Sequence, residues 1–264
     1  MPYEAITLDQ NGGVATLTLN RPEALNALNI AMLSEIRQAL AVLAEDKSVR
    51  VLVVRGAGRA FCSGADIAKG TGANRGDAPF DAGLILELQV NALMLELADF
   101  PAPIVAAVTG AAAGAGCALA LAADLVVASD SAYFLLAFAR VGLIPDAGAT
   151  WMLPRLIGKA RATEMMMLGE RVGAAQAVAW GLIHRSVEDE ALDKEVEALA
   201  QRLASGPTVA YGLIRRGLHA GLQSSFAESL QGEREAQRVA GTTKDFAEGT
   251  SAFKEKRAPR FEGR

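Results

Sequence analysis

The chain opens with two short runs of alternating apolar and polar positions, at residues 4–8 and 13–20 (GVATLTLN). Alternation of this kind places successive side chains on opposite faces of a strand, and the intervening QNGG is typical of a tight turn. Apolar positions then recur at helical spacing from Ile30 to Leu43, ahead of the apolar run VRVLVVRG, which ends at Gly56. The pattern predicts a β-hairpin, a helix and a strand that is buried on both faces.

Later segments continue the alternation of strands and helices. Residues 70–83 have loop composition, are long enough to act as a lid, and lead into an amphipathic helix near 84–98. PIVAAVTG then predicts a buried strand, followed by a Gly-rich turn, a helix around 115–122 and the strand DLVVAS. Beyond Asp146 most segments have a helical period. We therefore expect one α/β core with a helical extension, whose apolar faces self-association would cover.

Composition and charge narrow the class of function. A formal net charge of −4 without a sustained basic stripe argues against nucleic acid as a partner, so a small molecule is expected. The two cysteines, Cys62 and Cys117, lie in apolar or Gly-rich segments without paired spacing. They predict neither a disulfide framework nor a metal site, and they fit a reducing, cytoplasmic compartment.

No membrane partner is expected. The first residues, MPYEAITLDQ, lack the basic and apolar regions of a secretory signal. The uncharged stretch 102–123 is long enough to span a bilayer, but it consists mostly of Ala and Gly, and its flanks carry Asp99 and Asp124 instead of a Lys/Arg cluster. A buried strand, a Gly-rich turn and a buried helix explain the same residues.

Two Gly-rich turns are candidates for ligand binding. In TGAAAGAGCALALAAD the glycines have GxxxGxG spacing instead of the GxGxxG of dinucleotide-binding turns, and no P-loop sequence occurs. Backbone N–H groups at such a turn can stabilise an oxyanion, although close packing of strand on helix explains the glycines equally well. GRAFCSGADI, residues 58–67, is a second such turn, or an ordinary turn with Asp66 as a helix cap.

Asp146, within VGLIPDAGATWMLPR (141–155), is the only Asp or Glu between Asp130 and Glu164. It could be the N-cap of a helix that starts near Ala147. Its surroundings in the sequence are apolar, and burial raises the pKa of a carboxyl group towards neutrality.

Several motifs, in this order, resemble those of the crotonase (enoyl-CoA hydratase/isomerase) superfamily: LNRPEALNALN, AFCSGADI, PIVAAVTGAAAGAGCALALAADLVVAS and VGLIPDAGATWMLPR. The resemblance continues to the closing FAEGTSAFKEKRAPRF and covers nearly the whole chain. Within the superfamily, GLIPDAGATWMLPR is most similar to the ring-epoxide isomerases of phenylacetate degradation, which convert an epoxyphenylacetyl-CoA to an oxepin-CoA and also shift enoyl-CoA double bonds. The resemblance implies an α/β spiral of ββα units with the acyl-CoA site over residues 1–200, and a helical region for trimerisation and CoA contact over 201–264.

The resemblance also implies a set of site residues. The thioester carbonyl would be held by the backbone N–H groups of Ala65 and Ala115. Contacts to CoA are implied for Ala24, Ala60, Ser63, Ala65, Asp66 and Ile67, and for Phe253 and Lys256 near the CoA phosphates. Coenzyme A enters as part of the substrate, with no tightly bound cofactor and no metal. The implied assembly is a homotrimer or a dimer of trimers.

The chain departs from hydratases at both of their catalytic glutamates, which align with Ala118 and Phe138. Neither residue can move a proton, and hydration needs groups that activate water and protonate carbon. Asp146 aligns with a working aspartate of some isomerases and of aromatic-acyl-CoA dehalogenases, but dehalogenases also use a His, which the 84–98 segment lacks. We expect an acyl-CoA isomerase with Asp146 as the single acid/base. A broad enoyl-CoA hydratase and a non-catalytic CoA-binding or assembly subunit are the alternatives.

Overall fold

A computed structural model of the chain describes residues 3–66 and 81–264. The predicted CoA contact Ile67 and most of the 70–83 loop, with its predicted role as a lid, lie outside the described residues.

The described residues form an α/β fold, as predicted. Its strands are β1 (Ile6–Asn11), β2 (Val14–Leu19), β3 (Val51–Gly56), β4 (Ile104–Val108), β5 (Ala111–Ala113), β6 (Leu125–Ser129), β7 (Tyr133–Leu135), β8 (Val172–Gly173) and β9 (Arg185–Val187). Its helices are α1 (Ile30–Glu45), α2 (Ala82–Ile85), α3 (Asn91–Asp99), α4 (Ala115–Leu121), α5 (Ala149–Leu168), α6 (Ala174–Trp180), α7 (Leu192–Ala204), α8 (Thr208–Gly221), α9 (Phe226–Ala240) and α10 (Lys244–Glu255). A π-helical turn (Leu86–Val90) joins α2 to α3, and 3-10 turns occupy Pro22–Ala24, Phe138–Val141 and Asp189–Ala191.

The main sheet has six strands in the order β1-β2-β3-β4-β6-β9, and a smaller sheet has the order β5-β7-β8. The predicted hairpin is confirmed, because β1 pairs antiparallel with β2 from Ile6 opposite Leu19 to Asn11 opposite Val14. All later pairs of the main sheet are parallel. The loops that follow β2, β3 and β4 therefore leave the sheet at the same edge, where α/β proteins place their ligand sites.

Strand β3 is buried on both faces, as its unbroken apolar run predicts. Leu52 and Val54 belong to the larger core cluster, which includes the apolar face of α1. Val51 and Val53 belong to a second cluster, which includes α7. The sheet is thus held between helices of the two halves of the sequence.

The apolar stretch 102–123 forms β4, β5 and α4, which confirms the prediction of a buried strand, a turn and a buried helix. Every residue of α4 is buried. Within the described ranges, no helix combines the length and apolarity that crossing a bilayer would need.

The helical C-terminal region packs on the core of its own chain. The predicted boundary at residues 200/201 falls inside α7, and residues 205–207 connect α7 to α8. The buried Arg215 of α8 donates from Nε to Asp124 Oδ2 (2.6 Å) and from Nη2 to the carbonyl oxygen of Leu97 (3.1 Å) in α3. Gly212 allows the close approach, because a Cβ there would lie 2.3 Å from the carbonyl oxygen of Pro101.

Candidate active site

The two Gly-rich turns meet beside the sheet. Cys62 donates its N–H to the carbonyl oxygen of Ala111 (3.0 Å), and Ala113 donates back to that of Cys62 (2.8 Å). A Cβ on Gly64, whose φ is +99°, would lie 2.9 Å from the carbonyl oxygen of Ala113, so a side chain at residue 64 meets both backbone strain and a steric clash. A Cβ on Gly114 would lie 3.6 Å from the Cα of Gly64. The backbones of the two turns are in direct contact.

The proposed oxyanion donors follow immediately after these two glycines. Ala65 is exposed, and Ala115 is the first residue of α4 and only 6% exposed. In the part of the chain that the structure describes, neither backbone N–H donates a hydrogen bond. For Ala115 the reason is general, since the first N–H groups of a helix have no intrahelical acceptor. Two donors, on turns whose backbones are in contact, are therefore available to an oxygen atom of a ligand.

A buried polar frame that the sequence analysis missed holds the first turn in place. Asn26, fully buried with φ +56°, accepts from the N–H of Arg21 (2.9 Å) and donates to the carbonyl oxygens of Ala57 (2.9 Å) and Ala60 (2.8 Å). Arg21 Nη2 donates to Asp66 Oδ2 at 2.9 Å, and both side chains are nearly buried. The signal in the sequence is the polar pair of Arg21 and Asn26 flanking PEAL, because a buried polar group requires partners.

The predicted CoA contacts divide into two groups. Ala24, Ala60 and Ser63 lie around the frame. Ser63 donates its N–H to the carbonyl oxygen of Leu25 (3.0 Å), and its Oγ lies 3.4 Å from the carbonyl oxygen of Ala24. The carbonyl oxygen of Ala60 accepts from Asn26. Asp66 adjoins them through Arg21. Phe253 and Lys256 lie at the end of α10, and no hydrogen bond joins them to this cluster among the described residues.

The residues aligned with the hydratase glutamates carry no acid–base group. Ala118 is fully buried in the first turns of α4. Phe138 begins a 3-10 turn, and its ring Cζ would lie 3.8 Å from a Cβ on Gly114. An aromatic ring therefore occupies space beside the second Gly-rich turn, a contact between distant segments that the sequence alone does not reveal.

Asp146 does not cap α5, so the N-cap interpretation is wrong. The N-cap of α5 is Gly148, without a side-chain hydrogen bond, and only the backbone oxygen of Asp146 takes part, accepting from Ala149 N–H (2.9 Å). The physical reason is the backbone: Ala147 (φ +50°) and Gly148 (φ +78°) are both left-handed and displace the helix start by two residues. Among the described residues, Asp146 Oδ1 is buried without a hydrogen-bond partner.

The environment of Asp146 favours its neutral form. Burial raises the pKa of the carboxyl group from 3.8 to about 6, an effect that its own backbone N–H only partly opposes. The loop that carries Asp146 is tied to the 3-10 turn at Phe138, because Leu143 donates its N–H to the carbonyl oxygen of Phe138 (3.0 Å). A carboxylate with a pKa near neutrality and a free oxygen can both accept and return a proton.

Known proteins resemble the chain over its whole length. A family model described as "Enoyl-CoA hydratase/isomerase" matches residues 9–264. The "1,2-epoxyphenylacetyl-CoA isomerase" of Escherichia coli K12 is 44% identical over 252 residues, 96% of each chain. A Rhodobacter capsulatus protein described as "Probable enoyl-CoA hydratase" is 44% identical over 264 residues, 100% of each chain. A crystal structure of enoyl-CoA hydratase from Bacillus anthracis superposes with a TM-score of 0.91 at 33% identity, covering 99% of this chain and 100% of that one.

Proposed function

The chain belongs to the enoyl-CoA hydratase/isomerase, or crotonase, family, and from that premise we propose that it is an acyl-CoA isomerase with Asp146 as its single acid/base. The substrate class is a CoA thioester, either an enoyl-CoA whose double bond shifts or an epoxyphenylacetyl-CoA that becomes an oxepin-CoA. The similarity to the 1,2-epoxyphenylacetyl-CoA isomerase of E. coli supports the second substrate as well as the reaction type.

The proposed reaction needs one base and one oxyanion site. For a 3-enoyl-CoA, the Asp146 carboxylate removes a proton from C2, and the electron pair moves into the thioester, forming an enolate. The N–H groups of Ala65 and Ala115 stabilise the enolate oxygen, at about 3 kcal/mol for each donor in known oxyanion holes. The protonated Asp146 then returns its proton to C4, and the double bond moves to C2–C3. No water and no further reactant is consumed.

The observation that carries the proposal is the buried oxygen of Asp146, which has no hydrogen-bond partner within residues 3–66 and 81–264. A structural carboxylate would have a hydrogen-bond donor, because leaving a buried polar atom without one is costly. Its raised pKa suits proton transfer near neutral pH. Ala118 and Phe138 cannot replace it, because neither side chain ionises.

Asp146→Asn tests the proposal directly. We expect kcat for 3-enoyl-CoA isomerisation to fall about a hundred-fold or more, because an amide cannot accept the proton. Asp130→Asn is the matched control, since Asp130 is an exposed aspartate of the same acid-poor region. Unchanged turnover in a folded Asp146→Asn protein would exclude the single-acid mechanism.

A broad enoyl-CoA hydratase is the second candidate, favoured by the full-length similarity to the R. capsulatus protein. It requires water beside the thioester, where the Phe138 ring adjoins the second Gly-rich turn. An assay of water addition to crotonyl-CoA distinguishes the hydratase from the isomerase. Its readout is the loss of absorbance of the conjugated thioester. Hydration faster than isomerisation would favour the hydratase.

We also propose that the chain assembles as a homotrimer or a dimer of trimers. Support comes from apolar side chains that are exposed in the single chain: Ile214 and Leu218 on α8, Leu222 at the C-cap of α8, and Phe226 and Leu230 near the start of α9. Exposed apolar faces of this kind are typical of interfaces between copies.

A further inference from the structure

The tail, defined as residues 257–264, folds back along α10. Arg257 donates its N–H to the carbonyl oxygen of Ala252 (3.0 Å), which reverses the chain direction. Glu248, in the middle of α10, accepts two hydrogen bonds from the guanidinium of Arg257 (2.6 and 2.9 Å) and one from the N–H of Arg260 (2.7 Å). This two-bonded (bidentate) pair, here called the fork, fixes both the distance and the orientation of the Arg257 guanidinium relative to the Glu248 carboxylate.

The far end of the tail is fixed at the start of α10. The buried carboxylate of Asp245 accepts from the N–H groups of Glu262 (2.6 Å) and Gly263 (2.8 Å). Arg50, which precedes β3, donates to the carbonyl oxygen of Gly206 (2.5 Å) and packs closely against Gly263. The tail is therefore attached both to α10 and to the core.

Lys256 occupies the turn between α10 and the tail. It is left-handed, with φ +53°, a conformation that residues with a side chain rarely adopt. Its N–H donates to the carbonyl oxygen of Phe253 (3.3 Å), and the next residue, Arg257, is held by Glu248. The Arg257–Glu248 pair thus holds the turn in the conformation that presents Lys256.

The surface at this turn suits one end of a nucleotide. Phe253 is 85% exposed, and it borders a groove of about 540 Å³ whose other walls include Phe246 and, from the tail, Phe261. An exposed aromatic ring such as that of Phe253 can stack on a nucleobase, and an ammonium group such as that of Lys256, three residues later, can pair with a phosphate. CoA carries a nucleobase and phosphates at the end opposite its thioester.

We propose that Glu248 is a positioning residue that holds Lys256 for the phosphates of a CoA thioester by locking Arg257 and the tail across α10. The identity of the ligand rests on the proposed function. Glu248 acts through Arg257 and not on the ligand, since both its oxygens are already bound by donors and its negative charge would repel a phosphate. Arg257 keeps the pKa of Glu248 at about 2, so the pair stays charged throughout the working pH range.

The test compares the dissociation constants of free CoA and of pantetheine, which lacks the nucleotide, by titration calorimetry. In Glu248→Gln we expect CoA to bind roughly three- to ten-fold more weakly and pantetheine to bind unchanged, because a charge-assisted fork is lost. Glu235→Gln is the matched control, because it removes an arginine-paired glutamate of α9 that does not touch the tail. It should leave both constants unchanged.

A double-mutant cycle with Lys256→Ala separates positioning from a general structural effect. If Glu248 acts through Lys256, the double variant binds CoA no more weakly than Lys256→Ala alone. Additive losses, equal weakening of CoA and pantetheine, or unchanged or tighter CoA binding by Glu248→Gln would each overturn the proposal. If Glu248→Gln does not fold, Arg257→Lys, which keeps the charge and loses the fork, takes its place with the same criteria.

Because these constants need no turnover, failure of the isomerase proposal is recognised separately, as CoA binding without isomerisation. A wild-type chain that binds CoA no more tightly than pantetheine would overturn the positioning role, whatever its turnover.

Discussion

Asp146 combines features that local folding rules disfavour. Its Oδ1 is buried and receives no hydrogen bond from any residue that the structure describes. The next residue, Ala147, has a left-handed backbone that costs about 1–2 kcal/mol for a residue with a side chain. Such features persist when the surrounding fold enforces them, and they concentrate at functional sites. At the scale of one residue, the structure therefore favours a chemical role over a structural one.

The pH dependence of activity should reflect the ionisation of Asp146. The carboxylate is the reactive form, and burial raises its pKa to about 6. We expect kcat/KM for isomerisation to rise as the pH increases through about 6 and then to level off. Measuring the profile in wild type and Asp130→Asn checks this, and an acid limb centred near the ordinary aspartate pKa would contradict it.

The same pKa shift predicts that Asp146 destabilises the folded protein at neutral pH. Between the ordinary pKa of 3.8 and about 6, the folded state binds more protons than the unfolded state, so the free energy of unfolding falls as the pH rises through this window. Asp146→Asn should therefore be more stable than wild type at pH 7, by about 1 kcal/mol after allowance for partial exposure. Urea denaturation at several pH values tests this, because the difference should vanish below the ordinary pKa.

At the scale of elements, the site depends on two turns whose glycines permit unusual backbone angles. Gly114 has φ +55° and ψ −130°, which sets the direction of the next N–H, that of Ala115, at the start of α4. Its geometry ties the proposed oxyanion donor to the packing of β5, α4 and the first Gly-rich turn. Under the proposed mechanism, Gly114 therefore affects both the stability of the fold and the orientation of the Ala115 N–H.

Gly114→Ala should lower both stability and kcat. An L-residue forced into this region costs about 1–3 kcal/mol, and relaxation of the strain would rotate the Ala115 N–H away from the thioester oxygen. Gly12→Ala is the matched control, since Gly12 has φ +57° with no atom within 4 Å of the added Cβ and lies in the β1–β2 turn. It should lose stability with kcat intact. Equal kcat in both variants would argue against Ala115 as an oxyanion donor.

At the scale of the whole molecule, the C-terminal helices have two sides with different roles. One side docks on the core through Arg215 and through the tail at Arg50. The other exposes the apolar positions of α8 and α9. A single chain buries the first side and leaves the second exposed, where the proposed assembly would cover it.

Leu218→Glu combined with Leu222→Glu should convert the assembly to monomers, because each buried charge in an apolar interface lacks a partner. Val42→Glu is the matched control: it adds the same charge at an exposed apolar position of α1, 63% exposed. Light scattering of wild type, the double variant and Val42→Glu measures the mass of each protein in solution. A double variant with the mass of wild type would contradict the proposed interface.

Periodicity in the sequence predicts most elements of the first half of the chain and their order. Alternation predicted the β1–β2 hairpin, the unbroken apolar run predicted β3, and helical spacing predicted α1, because these periodicities follow from backbone geometry and burial alone. The Gly-rich turns and the lone Asp146 were also visible, since residue type and local charge need no fold.

Contacts between distant residues depend on the tertiary structure. It brought Gly64 against Gly114 and the ring of Phe138 beside them, and it removed Asp146 from the helix cap that its position in the sequence suggested. Local rules cannot supply these results, because the left-handed turn at Ala147 and the contacts between separate segments are enforced by packing of the entire core. The physical reason is that propensity acts within a few residues, whereas burial and hydrogen bonding act between all of them.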